Sequence, residues 1–270
     1  MNRYQKGLRL LRASWEVIQQ RPALVGVLLA GMVASAALGG VALALVASVG
    51  VGTLQFRIGM LLAIQIAFIP MTFTNFVVSV IADRHFRGED MSVSDGVGFA
   101  TKHLAKILQW SMLSAVVGFV LSAIVERFKL GGWIASRLLG LAWALASTFV
   151  IPILVIEDVG VCDALSESAK TFKAYWGESV AADAGLGFIS LAILIPFVLV
   201  GTILIATGAT FIGAALLVLG FCALIGVAGT VGAVKNVALY RLATDGAVVG
   251  SFTLEDLNAS FKPKKRRGRS

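Results

Sequence analysis

The sequence predicts an all-helical, polytopic membrane protein, and three observations carry that reading. Hydrophobic residues make up 58% of the 270-residue chain and charged residues only 14%, against about 25% charged in a typical soluble domain. Long stretches carry no charge at all. The lysines and arginines gather on one side of those stretches. So little charge cannot cover a soluble surface, which excludes a water-soluble enzyme, and so large an apolar excess excludes a disordered chain.

A helix crossing a bilayer needs about 20 mostly apolar residues, and a charge at mid-bilayer costs roughly 2.5–3.5 kcal/mol. The charge-free runs lie between Arg21 and Arg57, Arg57 and Asp83, Lys106 and Glu126, Arg137 and Glu157, and Asp183 and Lys235; they hold 35, 25, 19, 19 and 51 residues. The first suits one span and an approach, with a turn at Gly50-Val51-Gly52-Thr53. The last suits two spans, broken near Thr207-Gly208-Ala209-Thr210. Six spans are therefore expected, at about 23–47, 58–82, 108–125, 137–156, 185–206 and 211–234. They form one membrane domain over 1–250, followed by a basic tail over 251–270. The runs lack the strict alternation of β-barrel strands, which are only about 10 residues long. The first run is longer than a signal-peptide core and is read as a span.

Six spans place both termini on one side. That side, with its loops, collects nineteen lysines and arginines and the other side four, so the positive-inside rule makes both termini cytoplasmic, in the cell (inner) membrane. Cys162 falls on the cytoplasmic side and Cys222 inside the sixth span. No disulfide framework follows from that pair.

The cytoplasmic segments read as amphipathic interfacial helices, each leading into a hairpin of two spans. Leu8, Leu11, Trp15 and Ile18 recur at helical spacing in the first. Val97, Ala100, Leu104, Ile107 and Leu108 form the stripe of the second. Leu165, Ala169, Phe172 and Trp176 form that of the third, with Asp163 as its N-cap. Such helices lie with apolar residues in the acyl boundary and basic ones toward headgroups. Arg9, Arg12, Lys102 and Lys106 are the expected headgroup contacts here, joined by Lys264, Lys265, Arg266 and Arg267 of the tail. The plainer alternative docks each elbow helix on the protein's own bundle.

Helix and hairpin thus recur three times as parallel repeats. Pro70 and Pro152 sit at corresponding depths of spans two and four, and Ala82-Asp83-Arg84-His85-Phe86-Arg87-Gly88 parallels Leu239-Tyr240-Arg241-Leu242-Ala243-Thr244-Asp245-Gly246. The stretch from Phe149-Val150-Ile151-Pro152 through Ile156-Glu157-Asp158-Val159-Gly160, then Asp163-Ala164-Leu165-Ser166-Glu167-Ser168-Ala169-Lys170 and Trp176-Gly177-Glu178, carries a resemblance. It resembles the signature of an uncharacterised prokaryotic six-span family classed as a domain of unknown function. More distantly, it is similar to the membrane domain that accompanies some glycerophosphodiester phosphodiesterases. The resemblance implies a fold and no activity, because that membrane domain is an accessory and no hydrolase barrel is present.

Chemistry-bearing residues are few. His85 and His103 are the two histidines and have no metal-ligand spacing, so no catalytic or metal residue and no cofactor is expected. Gly226, Gly229 and Gly232 lie in an apolar span without a preceding strand or a phosphate-binding lysine, and read as close helix packing; Gly39-Gly40 reads the same way. Gln65, Thr72, Thr74, Asn75, Ser147 and Thr148 cluster around Pro70 and Pro152, which kink their helices. Gln65, Thr72, Asn75, Ser147 and Thr148 form a candidate polar pocket. The simpler explanation makes them glue between helices, and no buried acid or base is evident beside them.

The functional expectation is a non-enzymatic membrane protein, a scaffold or accessory subunit acting through its cytoplasmic interfacial helices. The alternative is a small-molecule or lipid transporter using the pocket near the kinked spans. The expected partners are membrane lipids, anionic ones above all, with a protein partner or homo-oligomer as a further option. Nucleic acid is not expected, because the basic tail lacks interleaved aromatics.

Overall fold

A computed structural model of the chain describes residue 12 and residues 14–48 and 53–245, without side chains over 125–134, 174–186 and a few further positions. Among the described residues all regular structure is helical. Residues 14–20 form α1. They are followed by α2 (Ala23–Ala47), α3 (Leu54–Phe86), α4 (Val93–Lys102), α5 (Leu104–Ala146), α6 (Val150–Ile156), α7 (Val161–Ala206) and α8 (Thr210–Asp245). Among the described residues five stretches are long and apolar enough to cross a membrane: Ala23–Ala47, Gln55–Phe86, Leu104–Ile124, Ala135–Ile156 and Thr210–Thr244. The stretch expected as the fifth of six spans, 185–206, is found as a shorter apolar helix, Ser190–Ala206.

Three chain reversals organise these helices. At the first, Thr53 caps α3, its hydroxyl accepting a bond from the Phe56 amide at 3.1 Å. The antiparallel α2 and α3 then approach closely at glycines: a Cβ on Gly31 would strike Thr74, and one on Gly39 would meet Ala67. The second reversal corrects the expectation of a loop between spans three and four, because helical backbone continues through 125–134. A straight helix would separate Trp110 from Trp143 by about 50 Å. Their rings instead stack 5.7 Å apart, so α5 folds back on itself. The third reversal falls at Gly208, whose φ of +91° is a conformation that favours glycine. It joins α7 to α8 at the position expected from the sequence.

The core sits at the end of the bundle opposite these reversals, here termed the elbow end. Leu24 and Leu28 of α2, Phe76–Ala82 of α3, Ala100 of α4 and Ile107 of α5 meet there with Phe149–Val155, Ala164 of α7, and Val234, Val237 and Tyr240 of α8. Toward the reversals the helices carry exposed apolar residues, among them Val41, Leu45, Leu62, Leu138, Ile203 and Phe211. That is the pattern of surfaces made for lipid.

The elbow helices are placed differently from the expected stripes. Leu8 and Leu11 lie outside the described residues; in α1, Val17 and Ile18 are buried but Trp15 is exposed. In the second elbow Ala100 and Ile107 are buried, while Val97, Leu104 and Leu108 are exposed. The inner face of α4 includes Gly96, where a Cβ would press on Ile81, so α4 docks on α3. It is capped by Ser92, which accepts from the Asp95 amide at 3.1 Å, and the helix breaks at His103. In the third elbow the N-cap is Gly160, not Asp163, which lies in the first turn of α7. Its buried face runs Val161, Ala164, Ser168, Thr171, one residue away from the expected Leu165, Ala169, Phe172. Helix continues from there to Ala206.

Small residues let α7 and α8 approach closely. A Cβ on Gly213 would lie 2.5 Å from the Gly201 carbonyl oxygen and 2.9 Å from the Ile205 nitrogen. Both obstacles are backbone and cannot swing aside. Gly213→Ala should therefore lower stability by about 1–3 kcal/mol through overpacking. Gly40→Ala, which meets nothing within 4 Å, should be neutral or slightly stabilising. Unfolding midpoints of the two variants in detergent, compared with the parent, check this pair.

Candidate functional site

The span from Ala135 to Ile156 is broken. Its helix stops at Ala146 and restarts as α6 at Val150, leaving Ser147-Thr148-Phe149 in turn conformation. Proline explains part of the break. Pro152 has no N–H, so the Thr148 carbonyl four residues earlier loses its helical donor. Lipid offers no water to replace it, and an orphaned buried group costs about 1–3 kcal/mol. The chain supplies substitutes from neighbouring helices. Asn236 Nδ2 of α8 donates to the Thr148 carbonyl at 3.2 Å. The Phe149 amide donates to Ser168 Oγ of α7 at 3.0 Å, with both residues buried. The hydroxyl of Thr148 turns back to the Ala144 carbonyl at 2.9 Å.

A cavity of about 330 Å³ opens at this break, lined by Asn75 and Ser79 of α3, Trp110 and Ala144 of α5, Ser147 and Thr148 of the turn, Ile151 and Pro152 of α6, and Ala233, Lys235 and Asn236 of α8. Four residues expected around the kinks, Asn75, Ser147, Thr148 and Pro152, are thus brought together. Gln65, Thr72 and Pro70 lie elsewhere on α3 and do not line the cavity. The hydroxyl of Thr72 is spent on the Phe68 carbonyl at 2.9 Å.

Lys235 corrects the sequence reading most sharply. Counting charge-free residues ends the last span just before it and places no acid or base near the polar cluster. Lys235 is 1% exposed and lies ten residues before the end of α8. One signal pointed there: Val237, Ala238, Leu239 and Tyr240 continue the apolar pattern past the charge. Ser79, Trp110 and Asn236 were also missed. Ser79 and Trp110 carry no net charge and look like ordinary packing residues in a sequence.

Charged groups also tie the elbow end together. Asp83 Oδ1 pairs with Arg241 Nε at 2.6 Å and its Oδ2 with Arg87 Nε at 3.3 Å, the aspartate being buried. The two segments that parallel each other in sequence are therefore joined by an ion pair. Arg21 donates to the Met91 carbonyl at 2.8 Å and pairs with Asp90. Tyr240 donates to Glu157 Oε1 at 2.9 Å. Lys106, expected at headgroups, is committed to Asp158 at 2.6 Å, where His103 Nε2 also stands at 3.1 Å. Asp158 adopts a left-handed φ of +53°, which aspartate tolerates better than most residues. The hydrogen bond from Lys106 holds its carboxyl below the usual carboxylate range, against a smaller opposing effect of burial.

Among the other expected headgroup contacts, Arg12 and Lys102 are exposed. Arg9, Lys264, Lys265, Arg266 and Arg267 lie outside the described residues. Among the described residues no group of three His, Cys, Asp or Glu side chains could hold a metal ion.

Among the described residues, helical structure throughout, five helices of membrane-spanning length and composition, and a polar cavity where one of them is broken are the marks of a helical membrane protein. The chain belongs to DUF6159, a family of unknown function, whose match runs over residues 54–250. It takes in every element from α3 to α8 and all the cavity's lining residues. No curated protein and no solved structure matches the chain.

Two outcomes follow from the site. Asn236→Leu should cost about 1–3 kcal/mol, because the Thr148 carbonyl loses the donor that stands in for its missing helical partner; denaturant unfolding in detergent measures it. The Asp158 pair has a definite sign with pH. A carboxyl lowered in the folded state contributes stability above its unfolded pKa, near 3.9, and loses it as pH falls through the lower folded value. The difference in unfolding midpoint between parent and Asp158→Asn should therefore be present at pH 7 and be lost as the pH falls through the lowered folded-state pKa of Asp158.

Proposed function

We propose that this protein is a six-span integral membrane protein of the cell (inner) membrane, with both termini cytoplasmic, that binds a small polar solute or lipid headgroup in the cavity at its broken span. It works as a small-molecule or lipid transporter rather than as an enzyme. The observation that carries this reading is Lys235, buried on a cavity where an interrupted helix meets two others. An ionisable side chain inside a membrane domain is costly and commonly marks a ligand or ion path. Discontinuous helices serve the same end in transporters, because freed backbone groups are tolerated where they line a cavity. A volume of about 330 Å³ is near the lower end of small-molecule sites, which run from about 300 to 1,000 Å³.

The scaffold reading has its own support in the exposed Val97, Leu104 and Leu108 beside Lys102, a face suited to the membrane interface. The accessory role implied by the resemblance to a hydrolase-associated membrane domain points the same way. The two readings differ on whether the cavity communicates with water. In a Cys162→Ser, Cys222→Ala background, Ser147→Cys, a half-buried position of the cavity lining, should react with a small water-soluble thiol reagent in intact membranes. An unreactive thiol favours the scaffold. Orientation is checked separately: reporter fusions after Arg21, at Gly88, at Cys162 and at Ser270 should report cytoplasm, and one at Gly131 the opposite side. A fusion at Ser270 reporting the outside ends the six-span arrangement.

A further inference from the structure

The chemistry of the lining narrows the ligand. Lys235 is 1% exposed and keeps an interaction of its own within the protein, so it presents almost no surface to a ligand. What a ligand meets is neutral: the half-buried Asn75 of α3, Ser147 and Thr148 of the turn and Asn236 of α8, with Ala144 exposed beside them. A charged molecule entering there leaves water without gaining a counter-ion, which is costly. An acyl chain covers the same polar groups without bonding them, which is costly for the protein.

The hydrogen bonds already made define what remains on offer. Ser147 and Thr148 donate to the Ala144 carbonyl at 3.3 and 2.9 Å, which leaves their oxygens able to accept. Asn236 Nδ2 donates to the Thr148 carbonyl at 3.2 Å, and an amide nitrogen carries a second proton. Asn75 Oδ1 accepts from the Ser79 hydroxyl at 3.5 Å, which leaves its amide nitrogen to donate. The turn thus offers acceptors, and α3 and α8 offer donors. A hydroxyl both donates and accepts. Several hydroxyls on one small skeleton therefore match this lining, while a molecule with acceptors alone matches half of it.

From this we propose that the cavity binds a neutral, hydroxyl-rich group of the size of glycerol or a single sugar ring. The inference rests on the cavity being a ligand site and names the class of ligand. Such a group exists free in solution as a polyol and in the bilayer as the headgroup of a glycolipid. The cavity volume of about 330 Å³ equals roughly ten waters at 30 Å³ each, which admits the group and leaves no room for acyl chains.

The test uses the full-length chain in the background lacking native cysteines, with Ala144→Cys as reporter, in nanodiscs of phosphatidylcholine, a headgroup with no hydrogen-bond donor. A small neutral maleimide should label the thiol. Glycerol should slow the labelling saturably, to half its rate at the dissociation constant. The trimethyl ether of glycerol, the same skeleton without a donor, should leave the rate unchanged. Ser166→Cys, exposed on α7, should respond to neither, which separates occupancy from viscosity. Ser147→Ala and Asn75→Ala should each weaken the glycerol effect by roughly two- to tenfold, the loss of one hydrogen bond. Their labelling rates without glycerol report whether the cavity is still formed, so a lost contact is told apart from misfolding.

Protection identifies the source. Slowing by glycerol assigns the site to a soluble polyol. Slowing in nanodiscs that contain galactosyl diacylglycerol, without added glycerol, assigns it to a headgroup. A thiol that reacts at the same rate in every condition shows a cavity holding water only; that overturns the hydroxyl site and leaves the water-accessible cavity standing. Equal slowing by glycerol and its ether overturns it as well, because donors are then not what is recognised. A thiol that never reacts overturns the cavity reading and the hydroxyl site with it.

Discussion

A backbone group freed inside a bilayer has no water to bond, and this structure is arranged around one such place. Pro152 removes the donor that the Thr148 carbonyl would use, and the turn at 147–149 frees the Phe149 amide as well. Two helices answer with side chains: Asn236 from α8 and Ser168 from α7. These bonds fix the rotation of both helices about their axes. They bring Lys235, the neighbour of Asn236, onto the cavity, and they set the buried face of α7 at Val161, Ala164, Ser168 and Thr171. The same rotation leaves Ala169 exposed. One proline therefore orders three helices at the elbow end.

Association of the helices follows a different logic at each end of the molecule. Between apolar helices in lipid the hydrophobic effect contributes little, so close packing and polar contacts hold them together. Toward the chain reversals that means glycine: Gly39 against Ala67, and Gly213 and Gly201 backbone to backbone. At the elbow end it means charge. The buried Asp83–Arg241 pair joins the ends of α3 and α8. Removing one partner of such a pair is far more damaging than never having had it, because the survivor is left buried alone.

The spans were legible because their cause is compositional. The first apolar run became α2 over Ala23–Ala47, and the break before Thr210 fell at Gly208. Helix continuity was less legible, because counting stops at a charge while backbone hydrogen bonding does not. Thus Lys235 was read as a boundary, although α8 runs on to Asp245. The elbow faces failed for a related reason. Apolar spacing alone does not distinguish the face packed on protein from the face turned to lipid, so Val97 and Leu104 were read as one stripe with Ala100 and Ile107. Of the candidate site, Asn75, Ser147, Thr148 and Pro152 could be picked out because polar residues and proline are rare in spans. Lys235 and Asn236 are more than eighty residues away in sequence, and only packing brings them there.

The broken segment is also pinned at both ends, which bears on how the cavity is formed. Before the break, the Ser147 amide bonds the carbonyl of Trp143, whose ring stacks on Trp110. After it, Glu157 accepts from Tyr240 of α8, and Asp158 accepts from Lys106 at the start of α5. Between these anchors α6 has seven residues, a length of about 10 Å, and five of them are buried: Val150, Pro152, Ile153, Leu154 and Val155. So short a helix cannot tilt without breaking a bond at one end or exposing its core face. The cavity is therefore a preformed space between fixed walls, and its polar groups are positioned before any ligand arrives. Preorganisation of that kind lowers the ordering cost of any binding there.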